Sequence, residues 1–379
     1  MKTAAVIAEL NPLHTGHLYL LEQLRRSGAQ RVVLIMSGNF LQRGDYAVFD
    51  KFDRASAAVT CGADLVVELP LPWAMAGAQT FAFGGVALAE ALGAVDTLAF
   101  GCECGDAQAL TQVAQALTQP AFSQAVKAEL ANGATFAAAR QNACETLLGQ
   151  ERAALLSGPN NALAVEYITA LQGKRIEPFA VRRVGAGHDS PEASGGEPLS
   201  GSALRASLHA RNDVSAYVPP QLLACPHTEA DRLDQAVLAK LRAMKKSEFS
   251  AAPDLSEGLE NRIFAASRQA ASLEELFTLS KTKRYPLARI RRVVWSLFLG
   301  VPAGACRLPP PYLRVLAANE TGKALLAGCS LPVLARAAQV KALDERAKRV
   351  FELECAADDV FGLCFAQPKP CGSYFPVRL

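Results

Sequence analysis

The chain has 379 residues, more than one typical domain core holds, so we expect two domains. Hydrophobic residues make up 50% and charged residues 20% of the chain, and the formal net charge is +3, which excludes a generally polycationic protein but not a local basic surface. We find neither a leader pattern nor an apolar run of about 20 residues, so we expect a cytoplasmic protein that does not associate with membranes.

The first half of the chain alternates strand-like and helix-like patterns. Near-continuous apolar runs, typical of buried strands, recur about every thirty residues and lie at 3–8, 31–38, 63–70 and 96–101. The later predicted elements are a helical stretch at 107–156, a turn and helix at 158–172 and a strand at 175–185. This alternation predicts an α/β fold with a doubly wound parallel sheet covered by helices on both faces.

The second half of the chain has a different pattern. A stretch rich in Gly, Ser and Pro at 185–202 indicates a loop, and a helix is predicted from about Ser202. After "VPPQ" at 218–221, and clearly from residue 229, helical periods dominate and we predict no strand. We therefore expect an α/β domain over residues 1–220 and a mainly α-helical domain over residues 221–379.

The ten cysteines do not indicate a metal site or a disulfide framework. Cys102 and Cys104 are too close together for a C-x-x-C zinc motif. The C-terminal cysteines have no histidine near them in the sequence. We expect reduced structural thiols and no metal bound by the protein.

The segment "ELNPLHTGH", from Glu9 to His17, follows the first predicted strand. In open α/β sheets, ligands bind beyond the carboxyl ends of the strands, so this corner is the first place to expect a site. His14 and His17 are three residues apart and share a helical face, while Gly16 lets a ligand approach the backbone. Unpaired N–H groups at the start of the helix attract anions. The pattern favours a phosphate site; histidines that only cap or pack are the other interpretation.

A second phosphate-binding pattern is "SGSALR", from Ser200 to Arg205. Hydroxyl groups and backbone N–H groups at a helix start accept phosphate, and an arginine adds a fixed charge. Alone, such a serine-rich start is usually an N-cap. Together with the two histidines, it predicts that Ser200, Ser202 and Arg205 contribute to one nucleotide site.

The H-x-G-H pattern resembles the nucleotidyltransferase superfamily, which includes the class I aminoacyl-tRNA synthetases, and "SGSALR" is similar to the S-x-S-x-x-R signature of many adenylyltransferases. Further segments, in family order, resemble the bacterial tRNA(Met) cytidine acetate ligase family; they lie at 36–47, 62–70, 98–103, 158–168, 182–190, 257–263 and 281–285. The resemblance covers residues 1 to about 315. This chain departs from the family at Leu10 and Leu13, where Tyr and Phe are common, and at "GHD" (187–189), where "YHD" is usual.

This resemblance implies a nucleotidyltransferase-like Rossmann domain of the HUP type. It also implies an enzyme that uses ATP, with Mg²⁺, to convert acetate to acetyl-adenylate and then acetylates N4 of the wobble cytidine of elongator tRNA(Met). We expect no obligate protein partner. The implied catalytic residues are His14, His17 and Arg205. The implied ATP contacts include both histidines and also Ile7, Ala8, Glu9, Asn11, Pro12, Gly16, Gly101, Asn160, Arg183, Ser200 and Ser202. Strand alternation alone does not separate Arg182 from Arg183; the family alignment favours Arg183.

The segment 281–292 concentrates six basic residues and no acidic residue in a chain of low net charge. Such a cluster favours binding to a phosphate backbone over a plain solvated helix. The predicted tRNA contacts are Lys281, Lys283, Arg284, Arg289 and Arg292. Arg43 and Lys51 are candidates to extend this surface.

Two other functions compete with this interpretation. A small-molecule nucleotidyltransferase, or an amide ligase like pantothenate synthetase, shares the H-x-G-H chemistry but leaves the basic segment and the large helical half without a role. A non-catalytic RNA-binding protein on a nucleotide-binding fold is a different class. Intact His14, His17, Ser202 and Arg205 argue against that second alternative.

Overall fold

The structure is a computed structural model that describes residues 1–183, 199–256 and 258–372. The predicted "GHD" segment (187–189) and Glu257 lie outside these described residues.

Seven of the nine strands in the described part form one sheet, in the order β7-β6-β1-β2-β5-β8-β9, and β3 pairs with β4. The strands are β1 (Thr3–Ala8), β2 (Arg31–Ser37), β3 (Phe40–Leu41), β4 (Asp45–Tyr46), β5 (Leu65–Leu69), β6 (Thr97–Cys102), β7 (Glu177–Arg182), β8 (Leu313–Ala318) and β9 (Val333–Leu334). The strands β7, β6, β1, β2 and β5 are all parallel, which confirms the predicted doubly wound sheet.

The prediction of no strand after residue 229 is wrong. β8 extends the sheet antiparallel to β5, and β9 pairs with β8. The pattern of β8 is hidden in the sequence because Arg314 interrupts a short apolar run, and its charge is compensated only by distant residues. The predicted boundary near residue 220 stays a prediction, but the chain beyond it returns to the sheet.

The α-helices flank the sheet and build a separate helical layer. They are α1 (Thr15–Arg26), α2 (Lys51–Thr60), α3 (Leu71–Ala74), α4 (Ala78–Ala91), α5 (Ala107–Leu117), α6 (Pro120–Ala131), α7 (Phe136–Leu148), α8 (Gln150–Ala154), α9 (Pro159–Leu171), α10 (Gly201–His209), α11 (Pro220–Leu223), α12 (Asp234–Ala243), α13 (Leu259–Gln269), α14 (Leu273–Ser280), α15 (Leu287–Leu299), α16 (Glu320–Leu325) and α17 (Glu345–Phe361). Short 3₁₀ helices lie at Leu155–Ser157, Lys246–Ala251, Leu326–Gly328, Ala337–Ala342 and Gly362–Cys364.

Alternation along β1 divides the core into two layers. Ala5 and Ile7 pack with α4, α5 and α9 on one face, whereas Ala4 and Val6 pack with α1, α2 and α10 on the other. A third apolar core joins α12 to α15 with the end of α17. Within the described ranges, none of the helices combines the length and apolar character needed to cross a membrane.

A buried ionic cluster joins α17 to the sheet. The Lys51 ammonium group donates to Glu68 at 2.7 Å and to Asp358 at 2.5 Å. Arg314 lies 3.2 Å from Glu68 and 3.6 Å from Asp358. Both cations are 0% exposed. The suggestion that Lys51 extends a basic surface is therefore wrong, because two carboxylates hold its charge inside the protein.

Candidate active site

The two histidines of the H-x-G-H motif cap the start of α1. His14 is the N-cap residue, and its Nδ1 accepts a hydrogen bond from the backbone N–H of Gly16 at 3.0 Å. Nδ1 of His17 accepts from the backbone N–H of His14 at 3.3 Å. Because Nδ1 is an acceptor in both rings, this network assigns the proton of each neutral imidazole to Nε2. Capping and ligand binding therefore use different nitrogens of the same rings.

Both histidines are held in the neutral form. Burial, together with the charges of Arg183 and Arg205, lowers the pKa of His14 to about 4. Burial, His14 and Arg183 lower the pKa of His17 well below its usual 6.5. At neutral pH each ring thus offers an uncharged Nε2–H donor, which can stabilise an anionic oxygen without giving up its proton.

The start of α10 meets the start of α1. Ser200 caps α10 by accepting from the backbone N–H of Ala203 at 3.2 Å. Arg205, one turn along, donates to the carbonyl oxygen of Asn11 at 2.9 Å. A Cβ atom at Gly201 would lie 4.0 Å from Nε2 of His14, so the first turn of α10 begins beside that ring. Two helix N-termini, each with a positive dipole end, therefore converge on one point.

Gly101 and Arg183 form the wall of the site at the ends of β6 and β7. A Cβ atom at Gly101 would lie 3.3 Å from Cγ of Arg183, so glycine lets this arginine lie across the strand end. Arg182 instead packs against Gly105, where a Cβ atom would lie 2.6 Å from the Arg182 Cβ. Of the two arginines that the sequence left open, Arg183 is the one whose charge lowers the pKa of both histidines.

Glu103, which was not predicted as a site residue, fixes the start of α9. Its carboxylate accepts from the backbone N–H of Asn160 at 3.0 Å, from Nδ2 of Asn160 at 2.7 Å and from the backbone N–H of Asn161 at 2.6 Å. Although burial opposes ionisation, these hydrogen bonds hold the pKa of Glu103 below its usual value. This bond uses one N–H of the Asn160 amide and fixes its orientation, so the amide oxygen and the second N–H are the groups that a ligand can contact. The glutamate ends the family-like segment 98–103, but nothing within that segment indicates its role.

Arg54 holds the ends of the first two strands together. It is 0% exposed, and its guanidinium donates to the carbonyl oxygens of Glu9 at 2.5 Å and Gly38 at 2.5 Å. The Asn11 side chain accepts from the backbone N–H of Val48 at 2.9 Å, which ties the motif to the segment before α2. Arg54 and Asn11 therefore fix the shape of the corner that carries both histidines.

These elements enclose a cavity of about 200 Å³. The predicted site residues that line it are Ile7, Ala8, Glu9, Asn11, His14, Gly16, His17, Gly101, Asn160, Arg183 and Arg205. Pro12, Ser200 and Ser202 do not line it, although Ser200 caps the helix that carries Arg205. Sequence reasoning missed Tyr167 and the exposed Arg43 as lining residues. Among the described residues, no group of three or more His, Cys, Asp or Glu side chains could hold a metal ion.

A larger cavity of about 870 Å³ lies on the other side of α9. Two of its arginines are already committed to carboxylates, Arg140 to Glu166 at 2.5 Å and Arg292 to Asp254 at 2.8 Å. The two Nε2–H donors and two helix N-termini instead face the smaller cavity, and we place the chemistry there.

The basic segment 281–292 divides into groups with different surroundings. Lys281, Lys283 and Arg284 are exposed between α14 and α15. Arg289 donates to Ser256 and to the backbone of Asp254. Arg292 is 9% exposed and donates to Asp254 at 2.8 Å and to the carbonyl oxygen of Gln42 at 3.1 Å. Arg292 thus joins α15 to the first half of the chain, and the predicted tRNA surface rests on the three exposed residues.

Comparison with known proteins identifies the family of the chain. The HIGH Nucleotidyl Transferase family model matches residues 1–372. The chain is 34% identical over 401 residues to a tRNA(Met) cytidine acetate ligase of Acetivibrio thermocellus, covering 97% of this chain and 96% of that protein. It is 35% identical over 388 residues to the protein of the same name from Caldanaerobacter subterraneus subsp. tengcongensis, covering 96% of each.

Solved structures show the same fold. The crystal structure of apo Thermotoga maritima TmcAL has a TM-score of 0.92 and 28% identity, covering 100% of this chain and 99% of that one. The crystal structure of Thermotoga maritima TmcAL bound with alpha-thio ATP has a TM-score of 0.89 and 27% identity, with the same coverage. The fold and family predicted from the sequence are confirmed. The chain belongs to the HIGH nucleotidyl transferase family and, within it, to the tRNA(Met) cytidine acetate ligase family.

Proposed function

We propose that this chain activates acetate with ATP and transfers the acetyl group to N4 of the wobble cytidine of elongator tRNA(Met). The names of its relatives support the reaction and the RNA substrate. The observation that carries the proposal is the pair of imidazoles that use Nδ1 to cap α1 and line the cavity beside the start of α10, so that Nε2 of each ring is the nitrogen left for a ligand. Such an arrangement suits a triphosphate whose charge redistributes during the reaction.

In the first step, a carboxylate oxygen of acetate attacks the α-phosphorus of ATP, and the bond to pyrophosphate breaks. The protein contributes positioning and charge stabilisation rather than a covalent nucleophile. His14, His17 and Arg205 donate to phosphate oxygens, because their donors meet at the convergence of the two helix starts. Arg183 contributes a second fixed charge across Gly101.

In the second step, N4 of cytidine attacks the acetyl carbon, AMP leaves, and the N4 proton is released. The target base must leave its stack to reach the adenylate, which single-stranded anticodon bases do readily. Lys281, Lys283 and Arg284 bind the phosphate backbone of the tRNA beside the site. The second half of the chain thus serves mainly to hold tRNA.

The adenosine end of ATP lies near Gly101 and Asn160. The Asn160 amide, whose orientation is fixed by the bond from its Nδ2 to Glu103, contacts adenine or ribose. Mg²⁺ arrives with the triphosphate as part of the substrate, and it takes most of its ligands from phosphate and water. Glu9 is the carboxylate of the cavity wall that can face it.

Exchange of labelled pyrophosphate into ATP tests the first step without tRNA. We expect exchange that depends on acetate, because pyrophosphate can re-form ATP only from acetyl-adenylate. Exchange at the same rate without acetate would show that this chain activates a different acceptor.

A further inference from the structure

The turn between β3 and β4 lies between the nucleotide cavity and α15. Gln42 and Arg43, both in this turn, line the cavity. On the other side, a Cβ atom at Gly44 would lie 2.5 Å from Cβ of Arg291 and 2.7 Å from the backbone nitrogen of Arg292, and Gly44 has a φ of +73°. Both the close approach and the left-handed backbone require glycine. A helix from the second half of the chain therefore packs directly against a wall of the site.

The backbone of Gln42 binds one residue on each side of this turn. Its N–H donates to Oε1 of Glu9 at 2.8 Å, and its carbonyl oxygen accepts from Nη1 of Arg292 at 3.1 Å. Glu9 follows β1 and lines the cavity. The bond from Gln42 holds Oε1 at the turn, which leaves Oε2 of Glu9 for a ligand. The direction of that oxygen therefore depends on where the turn is held.

Arg292 is itself held in one orientation. It is 9% exposed, and its Nε and Nη2 donate to Oδ2 of Asp254 at 3.2 and 2.8 Å. These two bonds fix the plane of the guanidinium, so that Nη1 is the nitrogen that reaches Gln42. A continuous series of hydrogen bonds thus runs from Asp254 through Arg292 and Gln42 to the Glu9 carboxylate.

We propose that Arg292 is a positioning residue for the Glu9 carboxylate and acts on it through the backbone of Gln42. Arg292 touches no substrate; it fixes the turn whose N–H orients the carboxylate in the cavity. This inference rests on the proposed nucleotide site and gives α15 a part in the first reaction step. The sequence placed Arg292 among the tRNA contacts, whereas its hydrogen bonds lead to the cavity wall.

A double-mutant cycle with Glu9 tests this role. In acetate-dependent pyrophosphate exchange, we expect Arg292→Gln to lower kcat/KM for ATP about tenfold, because the carboxylate loses its fixed orientation. Glu9→Gln should lower it at least as much. In the Glu9→Gln background, Arg292→Gln should add less than about a twofold loss, since residues that act as a unit are not additive. Both single variants should divide the loss between kcat and KM in the same proportion, which a purely structural effect would not do.

A conservative variant keeps the test valid if Arg292→Gln does not fold. Arg292→Lys keeps the charge, but a single ammonium group cannot hold Asp254 and Gln42 in the same fixed geometry. We expect its kcat/KM to lie between those of the wild-type protein and Arg292→Gln, and the same cycle with Glu9→Gln applies to it.

Arg25→Gln is the matched control. Like Arg292, Arg25 donates to a carboxylate, Asp64 at 2.8 Å, and to a carbonyl oxygen, that of Gly62 at 2.8 Å. These partners lie at the amino end of β5, away from the strand ends that carry the cavity. Arg25→Gln should retain the exchange rate of the wild-type protein at a temperature where melting curves show both proteins folded.

Two results would overturn the inference. An equal loss of kcat/KM on Arg292→Gln in the wild-type and Glu9→Gln backgrounds would show that Arg292 acts independently of Glu9. Unchanged exchange in a less stable Arg292→Gln would make Arg292 a structural residue only. Absence of exchange in the wild-type protein is a different outcome, because it would refute the proposed function; the same cycle is then measured on ATP affinity by calorimetry.

Discussion

The backbone N–H of His14 donates to Nδ1 of His17, while His14 uses its own Nδ1 to cap Gly16. One nitrogen of each ring therefore belongs to the helix, and the other is available to a ligand. The two interpretations of the motif, capping and phosphate binding, are thus compatible. Capping and phosphate binding can be tested separately by a substitution that keeps a hydrogen-bond acceptor at the position of Nδ1 and removes the Nε2–H donor.

His14→Asn should retain the helix cap and lose activity. The asparagine oxygen takes the place of Nδ1, and asparagine is among the best N-cap residues, so we expect little change in melting temperature. The Nε2–H donor is removed, and we expect acetate-dependent pyrophosphate exchange to fall about 10²–10³-fold, as when one oxyanion donor is removed. An active variant would show that His14 only caps.

The neutral tautomer can be observed directly by NMR. Because burial and the two arginines lower the pKa of His14 to about 4, its ring should remain neutral at pH 5.5, with the proton on Nε2. His17 should do the same, since its pKa is also lowered. ¹⁵N spectra of the imidazoles, assigned with His14→Asn and His17→Asn, measure both. A charged ring at pH 6 would contradict the neutral form and the acceptor role of Nδ1.

The corner at β1 and α1 could be predicted because its signals lie close together in the sequence: an apolar strand, a turn, a glycine and two histidines at helical spacing. Asn160 and Arg183 depended on a family resemblance, since each reaches the site only through the sheet order. The role of Glu103 needed the structure, because its partners lie 57 and 58 residues further along the chain.

Charged residues with distant partners were the least predictable. Lys51 looked like a surface cation, yet its carboxylates are 17 and 307 residues away in sequence. Arg292 belongs to a basic run but binds Asp254, 38 residues earlier. A local pattern records charge, but only the tertiary structure shows whether that charge is compensated inside the protein.

The exposed group Lys281, Lys283 and Arg284 should bind tRNA. Replacing all three with alanine should weaken tRNA binding and flatten its salt dependence by about 0.7–0.9 logarithmic units for each phosphate group that is no longer bound. Pyrophosphate exchange without tRNA should not change, since these side chains do not line the nucleotide cavity. A triple alanine variant at the exposed Lys240, Lys246 and Lys341 provides the control. Equal losses of tRNA affinity in both variants would mean that these residues act only through the overall positive charge of the protein, and not as a specific binding surface.

Lys51→Met should destabilise the protein strongly. It removes one cation from the buried cluster and leaves Glu68 and Asp358 without their shared ammonium group. Breaking a buried ion pair in this way costs about 3–5 kcal/mol, which denaturant unfolding can measure. Lys323→Met, in an exposed pair with Glu320, should cost less than about 1 kcal/mol. Similar losses of stability in the two variants would show that the buried cluster is not stabilising.

Glu354 also belongs to the buried cluster, since its carboxylate lies 4.0 Å from Arg314. Glu354→Gln therefore tests the pH dependence of this cluster. Burial and the charge of Glu68 raise the pKa of Glu354 to about 8. The folded protein thus keeps a proton that the unfolded chain loses near its usual 4.5, so stability should fall as pH rises from about 5 to 8. Glutamine is uncharged at every pH, and we expect a smaller fall in the free energy of unfolding over this range. An unchanged slope would show that Glu354 ionises normally.

The most direct test of the proposed function is nucleoside mass spectrometry of unmodified elongator tRNA(Met) after incubation with the purified protein. With ATP and acetate together, we expect N4-acetylcytidine at the wobble position, and none when either is omitted. His14→Asn should form it about 10²–10³-fold more slowly than the wild-type protein. An unmodified wobble cytidine in the complete reaction, or equal acetylation by His14→Asn, would contradict the proposed function.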